Sequence, residues 1–497
     1  MAAITGRQWL ILLTVQFTTV LFGLTTTSVT VILPQLKGAL SATQDQISWI
    51  LTFNLVATAV ATPLTGWLAA KLGWRVLMVC SVIGFTSASM LCGTVSSLES
   101  LLVLRVIQGA FGAPIFPMGQ AILLGSFERH QHPFIIMMWG VGGVMGPIVG
   151  PTFGGMVAEL FSWRWTFFLI VPMGILAGSM AAAVLPDREK GMRRPLDFTG
   201  YIFLGIAIAT FQVMLDRGQR NDWFDSAEIV IECGLAVVFF AMFLIHMATT
   251  STPLVEPATF GDRNFIVGAT VAIIMGMLQY VPMVLFPPLL QDLRGYPDGI
   301  IGLLVAARGL GNFGSFFIVA PLTRISPRFC LFVGFSIQAV AATWMGSLDI
   351  NLSTSDVMFT NMLHGLGFGL AYTPMAVLTF STLPGSLLTQ GNAVFSLVRM
   401  LGSSIFISMT LLVFSQSVAE ASVNLTSYIT ALRIDALLPW VTTYGSLGDA
   451  ATYDRLASEV QRQAGMIGYI NAFHLMTLIT ICTAPLAFLF APRGAAR

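Results

Sequence analysis

The sequence predicts an all-α integral membrane protein with fourteen transmembrane helices, arranged as two six-helix bundles plus two inserted helices. Three observations carry that expectation. The 497 residues are 56% hydrophobic and 9% charged, where a soluble domain carries about 25% charged residues. Windows of about 20 apolar residues, the length a helix needs to cross the hydrocarbon layer, can be placed fourteen times. The chain also repeats itself. The tripeptide from Pro63 to Thr65 recurs from Pro321 to Thr323, Gln108-Gly109 is answered by His364-Gly365, and Pro117-Met118 by Pro374-Met375, at offsets of 258, 256 and 257 residues. Landmarks that share one offset are the mark of a parallel internal duplication.

The same composition excludes several function classes. Too few residues are charged for a soluble enzyme. Lys plus Arg is 24 against 23 acids, so there is no basic excess for binding nucleic acid. None of the three lysines (Lys37, Lys71, Lys190) stands between Gly and Ser or Thr, so the chain has no phosphate-cradling loop of an ATP-driven pump. The five cysteines (Cys80, Cys92, Cys233, Cys330, Cys482) lie in apolar runs without metal-site spacing and read as packing residues. No cofactor or metal is expected.

In chain order, the apolar windows run over 9–33, 47–70, 76–95, 99–124, 133–158 and 163–185, then 197–215 and 226–248, then 265–290, 298–322, 329–348, 356–380, 391–415 and 465–491. Helix is the only economical form for them, because each unpaired backbone group in lipid costs several kcal/mol. The first window is too long for a signal-peptide core and has no clear cleavage site, so it reads as a retained span. The repeat places a first bundle in 1–185 and a second in 249–497, with the inserted pair in 186–248. The long connection 416–464 includes an amphipathic helix candidate, Tyr453 to Gly465, that continues into the last span. With the N-terminus inside, the inner connections hold thirteen Lys and Arg and the outer ones eight. That bias puts both termini in the cytoplasm.

Polar residues inside spans are expensive and mark function or partnership. Arg105 in span 4 is the foremost, expected to face a cavity with Gln108 one turn further along. Arg308 in span 10 and Arg399 in span 13 bind either substrate or helix ends. His364, at the repeat position of Gln108, is a candidate for a cavity or proton role, and His246 and His474 are weaker ones. Asn54, Asn361 and Asn392 line the cavity or join helices. Glu232 is the only carboxylate clearly inside a span, and it belongs to the inserted pair. Gly142, Gly146, Gly150 and Gly154 form a smooth stripe along span 5, with Pro147 and Pro151 beside it: either close helix packing or a hinge. The turn from Gly66 to Arg75, with Gly66, Lys71, Gly73 and Arg75, reads as a topology anchor or an inner gate.

These residues resemble the major facilitator superfamily, and within it the fourteen-span drug:proton antiporter branch of the EmrB type. The resemblance runs almost end to end. It rests on GWLAAKLGWR (66–75), RVIQGAFGAP (105–114), GPIVGPTFGG (146–155) with WRWTFF (163–168), RPLDFTG (194–200), MLDRGQRNDWFDSAEI (214–229), DRNF (262–265) and FSLVRMLGSSI (395–405). It implies export of amphipathic or hydrophobic compounds across the bacterial inner membrane by alternating access. It also implies an EmrA-like periplasmic adaptor and an outer-membrane channel as partners. Carried over, Arg105 is the cavity arginine, Gly146, Pro147, Gly150 and Gly154 the antiporter hinge, and Lys71 with Arg75 the inner gate. One departure stands out: Thr25 occupies the place of the branch's span 1 acid. Protons then couple through another group, with His364 and Glu232 as candidates, or coupling has changed. The alternative reading is a siderophore, lipid or metabolite transporter with altered or no proton coupling.

Overall fold

The computed structural model describes residues 5–42, 44–128, 130–187, 195–428 and 450–491. Among them the regular elements are helices throughout. At the first six expected spans stand α1 (Gly6–Ala39), α2 (Gln44–Ala61) with α3 (Leu64–Leu72), α4 (Trp74–Cys92), α5 (Leu98–Gly112) with α6 (Ile115–Ser126), α7 (His132–Leu160), and α8 (Trp163–Phe168) with α9 (Ile170–Val184). The inserted pair is α10 (Phe198–Arg217) and α11 (Ala227–Thr249). The last six are α12 (Arg263–Arg294), α13 (Asp298–Gly314) with α14 (Phe316–Ile325), α15 (Pro327–Gly346), α16 (Thr354–Thr379), α17 (Leu388–Tyr428) and α18 (Ala450–Thr483).

Eleven of these stretches have the length and apolar composition to cross a membrane, and the α2–α3 pair, bent by 59°, is a twelfth. The bend falls at Pro63, whose ring and missing N–H interrupt the hydrogen-bond ladder. α7 and α16 are long enough at 29 and 26 residues. Helix starts follow ordinary capping chemistry: Asp197, Asp262 and Ser353 accept from the backbone N–H groups of Gly200, Phe265 and Asp356. Large apolar side chains such as Ile175, Leu303, Phe317 and Leu478 remain more than half exposed, as a lipid-facing surface requires.

The two bundles repeat the same helix pairings. In the first, α1 packs on α7 and α9, α2 on α5, and α4 on α5 and α9; in the second, α12 packs on α17 and α18, α13 on α16, and α15 on α16 and α18. The contacts between bundles are reciprocal too. α7 meets α13, α14 and α16, while α17 meets α2, α3 and α6. α10 leans on both bundles, through α2 and α17, and α11 packs chiefly on α10.

Two stretches differ from the sequence expectation. The last two spans extend well into the 416–464 connection: α17 runs on to Tyr428 and α18 starts at Ala450. The amphipathic segment from Tyr453 does continue into the last span, as part of one unbroken helix from Ala450 to Thr483, and its Leu456 and Ala464 are buried. The centre of that connection, 429–449, lies outside the described residues.

Candidate functional site

The stripe on α7 is a packing surface against α1. A Cβ at Gly146 would meet the Val20 carbonyl oxygen at 2.8 Å, one at Gly150 the Leu24 carbonyl oxygen at 2.8 Å, and one at Gly154 the Ser28 carbonyl oxygen at 2.7 Å. Ser28 Oγ donates to the Gly150 carbonyl at 2.9 Å. The two backbones are therefore in contact, as small residues at four-residue spacing permit. Pro147 lies within this helix, between the first two glycines. Thr25, also on α1, is buried and donates to its own helix at Leu21, 2.7 Å away.

Arg105 is 1% exposed, so its charge faces protein rather than lipid. Its Nε donates to the Ile50 carbonyl at 3.2 Å and its Nη1 to Gln108 Oε1, while Nη2 has no protein partner. Asn54 donates to the Arg105 carbonyl at 2.9 Å. α2 and α5 come this close because Gly109 stands against the Asn54 carbonyl, where a Cβ would sit 2.4 Å away.

The second bundle holds two more buried arginines. Arg308, 2% exposed, donates from Nη1 to the Gln279 carbonyl at 2.6 Å and from Nη2 to the Leu278 carbonyl at 2.7 Å. Pro282 explains why the Leu278 carbonyl is available: four residues on, it has no N–H to return. Arg399 donates from Nη1 to Gln279 Oε1 at 2.6 Å. Its guanidinium lies over the ring of Phe116, from the first bundle, at 4.6 Å, a cation–π distance. An aromatic wall joins the bundles here, with ring centroids of Phe116 and Trp139 4.5 Å apart, Trp139 and Tyr372 6.4 Å apart, and Tyr372 and Phe368 5.7 Å apart. His364 is fully buried, and neither ring nitrogen has a protein partner. Asn361 donates to the Val357 carbonyl and Asn392 to the Leu388 carbonyl, each within its own helix.

The remaining candidates lie elsewhere. Glu232 sits on α11 beside Arg217, 3.8 Å away, with Arg217 also paired to Glu228. The stretch read as a turn from Gly66 to Arg75 is mostly helix: Gly66 lies in the first turn of α3 and touches the second bundle, where a Cβ would be 3.1 Å from Gln390 Cα and 3.2 Å from Gln390 Cβ on α17, and the chain turns at Gly73. Gly73 has φ 87°, a conformation that needs glycine. Lys71 lies over the Trp67 ring at 4.6 Å, and Arg75 Nε donates to the Leu185 carbonyl at 2.7 Å. Asp197, which sequence reasoning did not single out, collects the Gly200 and Leu254 N–H groups and His246 Nε2 at 2.8, 3.1 and 2.8 Å. Leu254 in turn accepts from Gln390 Nε2 at 2.7 Å, so the inserted pair is tied to the Gly66 contact. Asp197→Ala removes a helix cap and leaves a buried donor unpaired. It should lower stability by about 1–3 kcal/mol, read as the midpoint of thermal unfolding in nanodiscs.

The Major Facilitator Superfamily sequence profile matches residues 15–407. The chain belongs to this superfamily. Among its superfamily relatives, the "Multidrug export protein EmrB" of Haemophilus influenzae is 30% identical over 486 residues, covering 95% of this chain and 94% of that protein. The "Fatty acid resistance protein FarB" of Neisseria gonorrhoeae is 28% identical over 482 residues, covering 94% and 93%. The crystal structure of the human organic anion transporter MFSD10 superposes with a TM-score of 0.62 over 97% of this chain and all of that one. At 11% identity it establishes the superfamily fold alone.

Proposed function

We propose that the protein is an exporter of amphipathic and hydrophobic compounds in the bacterial cytoplasmic membrane, with both termini cytoplasmic, working by alternating access across fourteen spans. The observation that carries this is the reciprocal interface. Span 5 of each bundle crosses spans 2 and 4 of the other, and buried arginines and aromatic rings lie where they meet. Such an interface lets one bundle rock on the other while a single site stays central. The printed names of the relatives, multidrug export and fatty acid resistance, favour an amphipathic cargo. The bundles divide at about residues 185 and 249, with α10, backed by α11, as a brace across them. Gly66 on Gln390 forms part of the cytoplasmic gate, with Gly73 and Arg75 fixing the turn behind it. The α7 stripe at Gly146, Gly150 and Gly154 holds the moving helix to α1, with Pro147 in the same helix as part of the proposed hinge.

An EmrA-like periplasmic adaptor and an outer-membrane channel complete the route. α17, at 41 residues and so about 60 Å long, outreaches the membrane and offers the adaptor a surface. His364 in the core and Glu232 on the flank are the candidate groups for proton coupling. In proteoliposomes, efflux of a hydrophobic fluorescent dye is expected for the wild type and not for protein-free vesicles; equal leak from both contradicts the exporter. Collapse of the pH gradient at constant potential should slow efflux if His364 couples protons. Unchanged efflux removes that role.

A further inference from the structure

Among the described residues, the buried class contains three arginines and no aspartate or glutamate. None of the described ion pairs includes Arg105, Arg308 or Arg399. Two of these cations converge on one neutral residue: Gln279 offers its main-chain oxygen to Arg308 and its side-chain oxygen to Arg399, both at 2.6 Å. Carbonyl and amide oxygens supply dipoles but no counter-charge. A buried charge left without an opposite charge is strongly unfavourable. Each guanidinium also keeps a buried Nε with no protein partner. So does the hydroxyl of Tyr372, which stacks on Phe368, the ring beneath Arg308 at 5.4 Å. Polar donors with no acceptor, two positive charges and flat apolar walls thus coincide at the junction of the bundles.

We propose that Arg308 and Arg399, joined through Gln279, bind the carboxylate of an amphiphilic monoanion whose apolar body lies against Phe116, Phe368 and Tyr372, and that this cargo's own charge drives its export down the membrane potential. The planar fork of arginine matches a carboxylate better than any other side chain does. The cargo supplies negative charge that the site lacks, and so offsets one of its two positive charges when loaded. Leaving a cytoplasm that is electrically negative, a monoanion moves downhill. A potential of 100 mV sustains about a fiftyfold concentration ratio, without a core carboxylate to exchange protons. The proposal rests on the exporter reading above, and its first arm is a binding measurement that stands apart from transport.

The protein in nanodiscs is titrated with three matched fluorophores: dansyl-phenylalanine, its methyl ester, and dansylcadaverine, which carry a carboxylate, no charge and a cation. The carboxylate is expected to bind at least tenfold tighter than the ester, and the cation weakest. Arg308→Gln and Arg399→Gln should each weaken the carboxylate at least tenfold while ester binding, which reports the intact aromatic wall, stays within about twofold. Equal affinity for all three probes in the wild type overturns the proposal. So does carboxylate binding that survives either substitution. If either variant also loses the ester, Arg308→Lys and Arg399→Lys, which keep the charge and much of the side-chain bulk but not the fork, provide the comparison: weakened carboxylate binding with ester binding retained is expected, and unchanged carboxylate binding overturns the proposal. In proteoliposomes with the pH clamped equal on both sides, a valinomycin potential negative on the loaded side should speed dansyl-phenylalanine efflux, and reversed polarity should slow it. Indifference to polarity overturns the potential-driven step, whereas failure of every probe to move speaks against the exporter reading instead.

Discussion

Arg105→Ala is expected to cut efflux of amphipathic dyes about tenfold to a hundredfold while the protein stays folded. The guanidinium makes two hydrogen bonds inside the first bundle, to the Ile50 carbonyl and to Gln108. Bonds from a charged group contribute about 1.5–3 kcal/mol each, and about 1.4 kcal/mol is a factor of ten. The α2–α5 contact itself should survive, because Asn54 reaches the main chain of residue 105 and Thr58 reaches that of Gly109 at 3.2 Å. Arg105→Lys keeps the charge but loses the fork, so partial efflux is expected. Initial rates in proteoliposomes of matched protein content decide the matter. Wild-type rates in the alanine variant would show that transport does not need Arg105.

Gly365→Val is expected to be the most damaging single change to stability. A Cβ at residue 365 would lie 2.0 Å from the Arg308 carbonyl oxygen and 2.8 Å from its carbon, and one at Gly311 would lie 1.7 Å from the Met362 carbonyl oxygen. Each glycine of this pair admits the backbone of the opposite helix. Backbone cannot turn aside as a flexible side chain can, so α13 and α16 must separate. Overpacking costs typically 1–3 kcal/mol and occasionally more. Here the upper end is expected, together with a shift of Arg308 and loss of cargo binding. The control is Gly234→Ala in α11, where nothing lies within 4 Å of the added carbon. There the helix should gain about 0.5–1 kcal/mol. Thermal unfolding of both variants in the same nanodiscs checks the contrast, and equal midpoints would contradict it.

The frame of the molecule was legible because duplication and apolar length are written into the chain directly. The offset shared by Pro63, Gln108 and Pro117 anticipates the repeated pairings of α2 with α5 and α13 with α16. Breaks were not legible, and the window 47–70 read as one straight span. Pro63 bends its span, yet Pro282, Pro287 and Pro288 all lie inside the continuous α12, since neighbouring groups can satisfy the carbonyls that proline frees. Arg308 does this for Leu278 across 30 residues. Single polar residues were visible wherever apolar sequence made them conspicuous, which is how Arg105, Arg308, Arg399 and His364 stood out. What they bind was not visible. Gln279 is an ordinary amide in sequence and acquires its place only when Arg399, 120 residues away, meets it. Phe116 and Trp139 were hidden among 37 phenylalanines and 10 tryptophans. Asp197 lay just before a span and gave no sign that His246 and Leu254 would close upon it.

The rocking of one bundle on the other is tested most directly by a disulfide across the Gly66–Gln390 contact. A Cβ at residue 66 stands 3.2 Å from the Gln390 Cβ, close to the roughly 3.5–4.5 Å span of a disulfide. The pair Gly66→Cys and Gln390→Cys is placed in a background without the five native cysteines. Oxidation should join α3 to α17, stop efflux by at least tenfold, and be reversed by reduction. Complete cross-linking with undiminished efflux would show that this contact need not open, and would contradict alternating access through it.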